Sequence, residues 1–257
     1  MGAASQAKGE SRPDRFRDGW LAAGLILLAW LHRLAFLRSN RDWSWPYTIF
    51  YEGDSETFFH YARALLAGRL YDGGIPFHPP GFPWLLALVH AGLGAGGADD
   101  RVPYFAVKAV MALIGSVSVG LLYLLVRPYL GRTVALIAAL LATYDFGLYV
   151  LHVAPVSEGA YQTLLLLCLL LWTRWLEHPL AVSDATGEEP PRPERQATSR
   201  SEVSRLARQP FAWLAVAWRP VVLGLLLGAL ALVRAEGALI GLALGLIGVG
   251  SWVVGEE

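Results

Sequence analysis

Between Tyr51 and Pro83 the chain reads YEGDSETFFHYARALLAGRLYDGGIPFHPPGFP, a stretch that gathers Glu52, Asp54, Glu56, His60, Asp72 and His78. Carboxylates and imidazoles are the side chains best suited to accept and return protons near neutral pH, so the chemistry available here is general acid–base work. Asp54 is the first candidate base. Residues 54–68 read as a short amphipathic helix, with Phe58, Ala62 and Leu65 on one face, Asp54 or Ser55 at the N-cap and Gly68 as the stop. A carboxylate held at such a helix start is fixed in place yet open to a substrate. The plain structural role is a cap for Asp54 and a first-turn dipole partner for Glu56. His78 opens the turn HPPGFP, where the prolines would hold its ring at a fixed height; a simple solvated turn is the other reading.

Two further groups stand far off in sequence. Glu158 follows Pro155 at the mouth of an apolar run, and a carboxylate there is costly unless it is paired or faces water, or serves only as a helix-start acid. Arg234 and Glu236 separate two apolar runs, as a hairpin turn or as a contact for an anionic headgroup. Asp145 and Lys108 lie inside apolar runs and rank lower, as groups that pair with other side chains or with water.

The elements that must position these groups are membrane helices. The 257 residues are 55% hydrophobic and 16% charged, with mean hydropathy +0.43, which is too apolar for an ordinary soluble domain. The net charge is zero, so nothing points to nucleic acid as partner. A lone cysteine, Cys168, excludes a disulfide framework. A spanning helix needs roughly 20 apolar residues, and six runs are assigned: 20–37, 103–126, 133–151, 158–175, 211–233 and 237–255. The expected fold is an all-α polytopic membrane protein of about six transmembrane helices. Residues 1–19 are expected to be a disordered cytoplasmic terminus, 38–102 an outer loop with juxtamembrane helices, and 176–210 a flexible cytoplasmic loop.

Charge sets the orientation. The interval from Arg174 to Arg219 carries seven arginines, and Arg12, Arg15 and Arg17 precede the first run, so both face the cytoplasm. An even number of crossings must lie between them, which leaves Pro80 to Ala98 as a juxtamembrane or re-entrant helix on the outer face. Asp54, His78, Glu158 and Arg234 then meet at one surface.

Five pieces of the chain, GDSETFFHYARALLAG (53–68), HPPGFPWLLAL (78–88), LLYLLVRPYLGRTVALIAALL (121–141), VSEGAYQTLLLL (156–167) and GLLLGALALVRAEGALI (224–240), resemble in order the GT-C superfamily of membrane glycosyltransferases. The branch is that of bacterial proteins similar to protein O-mannosyltransferases and lipid A aminoarabinose transferases. The resemblance implies a donor sugar on a polyprenyl phosphate, a hydroxyl acceptor and transfer at the outer face of the inner (plasma) membrane with inversion. It implies Asp54 as catalytic base, Glu158 as a second catalytic acid, and Glu56, His78 and Arg234 as substrate-binding residues. No cofactor is implied; Asp54, Glu56 and Glu158 could offer oxygens to a divalent ion, but no clustered metal motif is present. Because such proteins continue through more spans, the resemblance implies that the chain is an amino-terminal portion. The alternative is a non-catalytic GT-C-like scaffold that binds a polyprenyl lipid or an enzyme partner.

Overall fold

The structure, a computed structural model, describes residues 12–39, 52–70, 78–94, 104–177 and 212–254. Every regular element among them is a helix: α1 (Arg12–Ser39), α2 (Glu52–Leu66), α3 (Gly81–Gly92), α4 (Tyr104–Tyr144), α5 (Phe146–Val153), α6 (Ser157–Glu177), α7 (Ala212–Val233) and α8 (Glu236–Val254). Asp72 and the interval 178–211 lie outside the described residues. Helix α1 starts at Arg12, inside the stretch expected to be disordered, and the reason is Asp18. Its buried carboxylate takes Arg127 Nε at 2.6 Å, Arg132 Nη2 at 3.0 Å and the Tyr123 hydroxyl at 2.8 Å, which ties the first turns of α1 to α4.

Helix α4 is two limbs. At Gly131 the backbone takes φ 80, ψ 170, a conformation open to glycine but strained for residues with a Cβ, and the chain reverses there. Val119 and Tyr123 from the first limb and Ala135 and Ala139 from the second pack on the same residues of α1, Ala22, Leu25 and Ala29. Gly120 makes the approach close, since a Cβ there would lie 2.6 Å from Ile26. The second limb ends at Tyr144 and not at Leu151. Asp145 interrupts the apolar run because its side chain accepts from the Leu148 amide and caps a new helix, α5. Helices α5 and α6 then meet at an angle of 107° across Ala154 to Val156.

By length and composition, two helical stretches among the described residues suffice to cross a membrane, Phe16–Ser39 and Phe105–Tyr144, the latter holding the Gly131 reversal. The bent pair Phe146–Val153 and Ser157–Trp175 makes a third if taken as one span. Gly81–Gly92, Val221–Val233 and Glu236–Ile247 are apolar but shorter, so the described helices do not reach the expected six.

One end of the bundle collects the elements that matter for chemistry. Phe58, Phe59 and Ala62 of α2, Phe82, Leu86 and Ala87 of α3, Val107 and Met111 of α4, Ala160 of α6 and Val233 of α7 form a single buried cluster. Gly81, next to Phe82 of this cluster, is a close joint. A Cβ at this position would lie 2.7 Å from the Leu232 backbone, so α3 starts directly against the end of α7. Gly81→Ala is expected to cost about 1–3 kcal/mol, as overpacking does. Gly224→Ala, where a Cβ meets nothing within 4 Å, is expected to be neutral. Equal denaturation midpoints for the two variants would contradict this packing.

Candidate functional site

Helix α2 includes Asp54 as its third residue, so the carboxylate sits in the first turn and does not cap it. Its location still suits an anion, because the unpaired amides and the helix dipole favour negative charge there. The apolar face predicted for α2 is real: Phe58 and Ala62 are buried, and Gly68, at φ 74, ends the helix as Arg69 N bonds back to Ala64 O at 2.9 Å. Ser55 is fully buried beside Asp54.

His78 reaches Asp54 across the loop, Nε2 to Oδ1 at 3.6 Å, with Asp54 half-exposed and His78 mostly covered. The imidazole rests on Phe58 at 4.6 Å between centroids, and Phe58 meets Phe82 edge-on at 4.8 Å. One aromatic side chain of α2 therefore positions both the loop histidine and the start of α3. Glu56 turns elsewhere: its carboxylate lies 3.5 Å from His60, one turn on, and both are about half-exposed.

The second pair joins α6 to the turn after α7. Arg234 Nη1 donates to Glu158 Oε1 at 2.7 Å, so the turn between α7 and α8 is bonded to the first turn of α6. The same guanidinium contacts Glu236 at 3.3 Å, and its carbon lies 5.8 Å from the centre of the Tyr161 ring. Glu236 and then Glu158 hold the Arg234 pKa above its ordinary value, and Arg234 holds the Glu236 carboxyl below the usual carboxylate range. Arg234 is thus shared between two acids. With both partners only about a third exposed, a double-mutant cycle on Glu158 and Arg234 is expected to give a coupling of about 1 kcal/mol. Additive losses would show that the contact contributes nothing.

Further buried polar groups have no site role in the sequence reading. Arg33 is fully buried, donating to Ala29 O and to His152 Nδ1, both at 2.9 Å. His152 Nε2 in turn lies 2.9 Å from Gln162 Oε1, so the neutral ring accepts from Arg33 and donates to Gln162. Gly115 makes room for that imidazole, since a Cβ there would lie 2.5 Å from it. Gln162 is one turn beyond Glu158, and this relay fixes the α5–α6 elbow that aims Glu158. An arginine inside an apolar run is the signal that could have flagged it. His90 of α3 is also fully buried, edge-on to Phe59 at 4.8 Å; burial, with Arg63 adding, pushes its pKa down to about 4. Lys108 is buried near the start of α4. Among the described residues no group of three His, Cys, Asp or Glu side chains could hold a metal ion.

Residues 77–182 match the dolichyl-phosphate-mannose-protein mannosyltransferase family. That stretch is about two fifths of the chain and takes in His78, His152 and Glu158, while Asp54, Glu56 and Arg234 lie outside it. Together with the all-helical apolar fold, the match supports the resemblance to a membrane glycosyltransferase of GT-C type over this part of the chain. No curated protein and no solved structure matches the chain.

Proposed function

We propose that the chain carries the acceptor side of a glycosyltransferase that moves a sugar from a polyprenyl-phosphate donor to a hydroxyl acceptor at the outer face of the plasma membrane, its amino terminus cytoplasmic. The family match over 77–182 carries this reading, and the placement of the polar pairs is consistent with it. Asp54 takes the acceptor proton as the acceptor oxygen bonds to the anomeric carbon. The bond from that carbon to the phosphate oxygen breaks, the electron pair leaves with the phosphate, and the anomeric configuration inverts. His78, 3.6 Å from Asp54, steadies the carboxylate before the reaction and offers a proton or positive charge towards the leaving phosphate. Arg234 is the fixed cation of the site, and Glu158 positions it through the 2.7 Å contact. Glu56, engaged with His60, lines the approach to α2.

One observation favours a second reading, a scaffold that binds a polyprenyl lipid or an enzyme partner without turnover: Arg234 already faces two carboxylates, and a phosphate would have to displace one of them. Transfer from labelled polyprenyl-phosphate sugars, measured on the protein in nanodiscs beside binding of the same donors, separates the two. Transfer that depends on Asp54 supports the enzyme. Donor binding with no transfer, identical in Asp54→Asn, supports the scaffold.

A further inference from the structure

Among the described histidines of α2, the following turn and α3, His90 faces no acid. His60 lies beside Glu56 and His78 beside Asp54. His90, in the last turn of α3, is fully buried and leaves both ring nitrogens without a hydrogen-bond partner. Its ring meets Phe59 of α2 edge-on at 4.8 Å, and Phe59 belongs to the buried cluster in which Phe58 and Ala62 of α2 pack with Phe82 and Leu86 of α3. The histidine therefore sits in the seam between the helix that bears Asp54 and the helix that follows His78.

A neutral imidazole is held there at the cost of one unmade donor and one unmade acceptor. A charged one is far costlier, because nothing in the seam compensates it. On α2, Arg63 is the charge that acts on His90 and it repels, while Asp54 and Glu56 lie beside other histidines. On α4 the charged group at this end is Lys108, a second cation, and α7 approaches α3 with Leu232 and Val233, which carry no charge. Burial first and Arg63 second push the His90 pKa down to about 4. A ring freed from the seam returns towards 6.5, so as pH falls the parted helices bind the extra proton first. Above about 6.5 docking is indifferent to this group; below it docking weakens until about 4, where the buried ring is protonated too.

We propose that the α2–α3 seam is an acid-released joint: protonation of His90 parts its ring from Phe59 and frees α3 from α2 while α1 stays packed on α4. The candidate site loosens with it, because Phe58, on which His78 rests, is packed on Phe82 at the start of α3. The joint does not depend on the transferase reading. Amide hydrogen exchange of the protein in nanodiscs, corrected for its intrinsic pH dependence and taken from about pH 7.5 to about pH 4.5, tests it. Protection of α2 and α3 is expected to fall by roughly tenfold for each pH unit below about 6, while α1 keeps its protection. In His90→Leu and His90→Gln, two replacements that cannot take the proton, the protection of α2 and α3 is expected to stay flat over the same range. Constant protection in the parent overturns the proposal. So does a loss that persists in both variants, which would place the response at His60 or His78. A loss shared equally by α1 also overturns it, since that is unfolding of the whole bundle in acid.

Discussion

Asp54→Ala is expected to lower sugar transfer by about a hundred- to ten-thousand-fold, the range typical of a lost general base, while the protein still inserts and folds. The separation of the two effects follows from where Asp54 sits. Its carboxylate is 53% exposed and takes no part in the buried cluster that Phe58, Phe59 and Ala62 make with α3, α4, α6 and α7. Removing it costs the helix only a favourable charge in its first turn, about 0.3–1 kcal/mol. Asp54→Asn keeps the shape and removes the basicity, so it should lose as much activity as the alanine. Glu56→Ala, which gives up an exposed contact with His60 at the approach to α2, should lose less activity than either Asp54 variant, because no proton transfer is assigned to it. Initial rates with a labelled polyprenyl-phosphate sugar, set beside far-UV helicity and the melting midpoint, read both quantities. An Asp54→Asn protein with parental rates would move the base elsewhere and leave Glu158 as the remaining candidate acid.

Local features of this site were legible in the sequence because they are set by nearest neighbours. The apolar spacing of Phe58 and Ala62 buries one face of α2, and a glycine at 68 stops it, as turn chemistry requires. Counting charges on either side of apolar runs leads to the expectation that Asp54, His78, Glu158 and Arg234 meet at one surface, and the structure shows the contacts of Asp54 with His78 and of Glu158 with Arg234. The contacts themselves were not legible in this way. Glu158 and Arg234 are 76 positions apart, and Arg33 and His152 are 119 apart, so their pairing is a product of how the helices pack. Helix ends inside apolar runs were also hidden. Asp145 in an apolar run reads as an isolated acid within a span, yet it ends one helix and caps the next because its side chain can reach the Leu148 amide. Gly81 reads as part of a proline turn, whereas its missing Cβ is what lets α3 touch the Leu232 backbone. Asp18, inside a basic terminus, drew no reading from the sequence, because its partners Arg127 and Arg132 come to it only through the packing of α4 on α1.

That last cluster carries the second large expectation. Asp18→Ala is expected to destabilise the fold by about 3 kcal/mol, the lower end for breaking a buried ion pair, because Arg132 keeps roughly a third of its side chain exposed and can be partly resolvated. The loss exceeds that of a surface salt bridge for two reasons. Both oxygens are in use, Oδ1 by Tyr123 and Arg132 and Oδ2 by Arg127, so a single truncation removes the acceptor from three donors. It also removes the carboxylate that both arginines contact. Asp18→Asn should retain part of the hydrogen bonding and fall between the parent and the alanine. Charge removal on the other side should be milder: Arg132→Gln leaves Arg127 paired with Asp18, with an expected loss of about 1 kcal/mol. The measurement is the denaturant midpoint in micelles at constant slope, together with thiol accessibility of a cysteine placed at Ala22, which is buried against the α4 limbs and becomes reactive if α1 separates from them. A parental midpoint for Asp18→Ala would mean that α1 is held to α4 by its apolar face alone. In that case the lock could not be what makes the chain helical from Arg12, ahead of the apolar run.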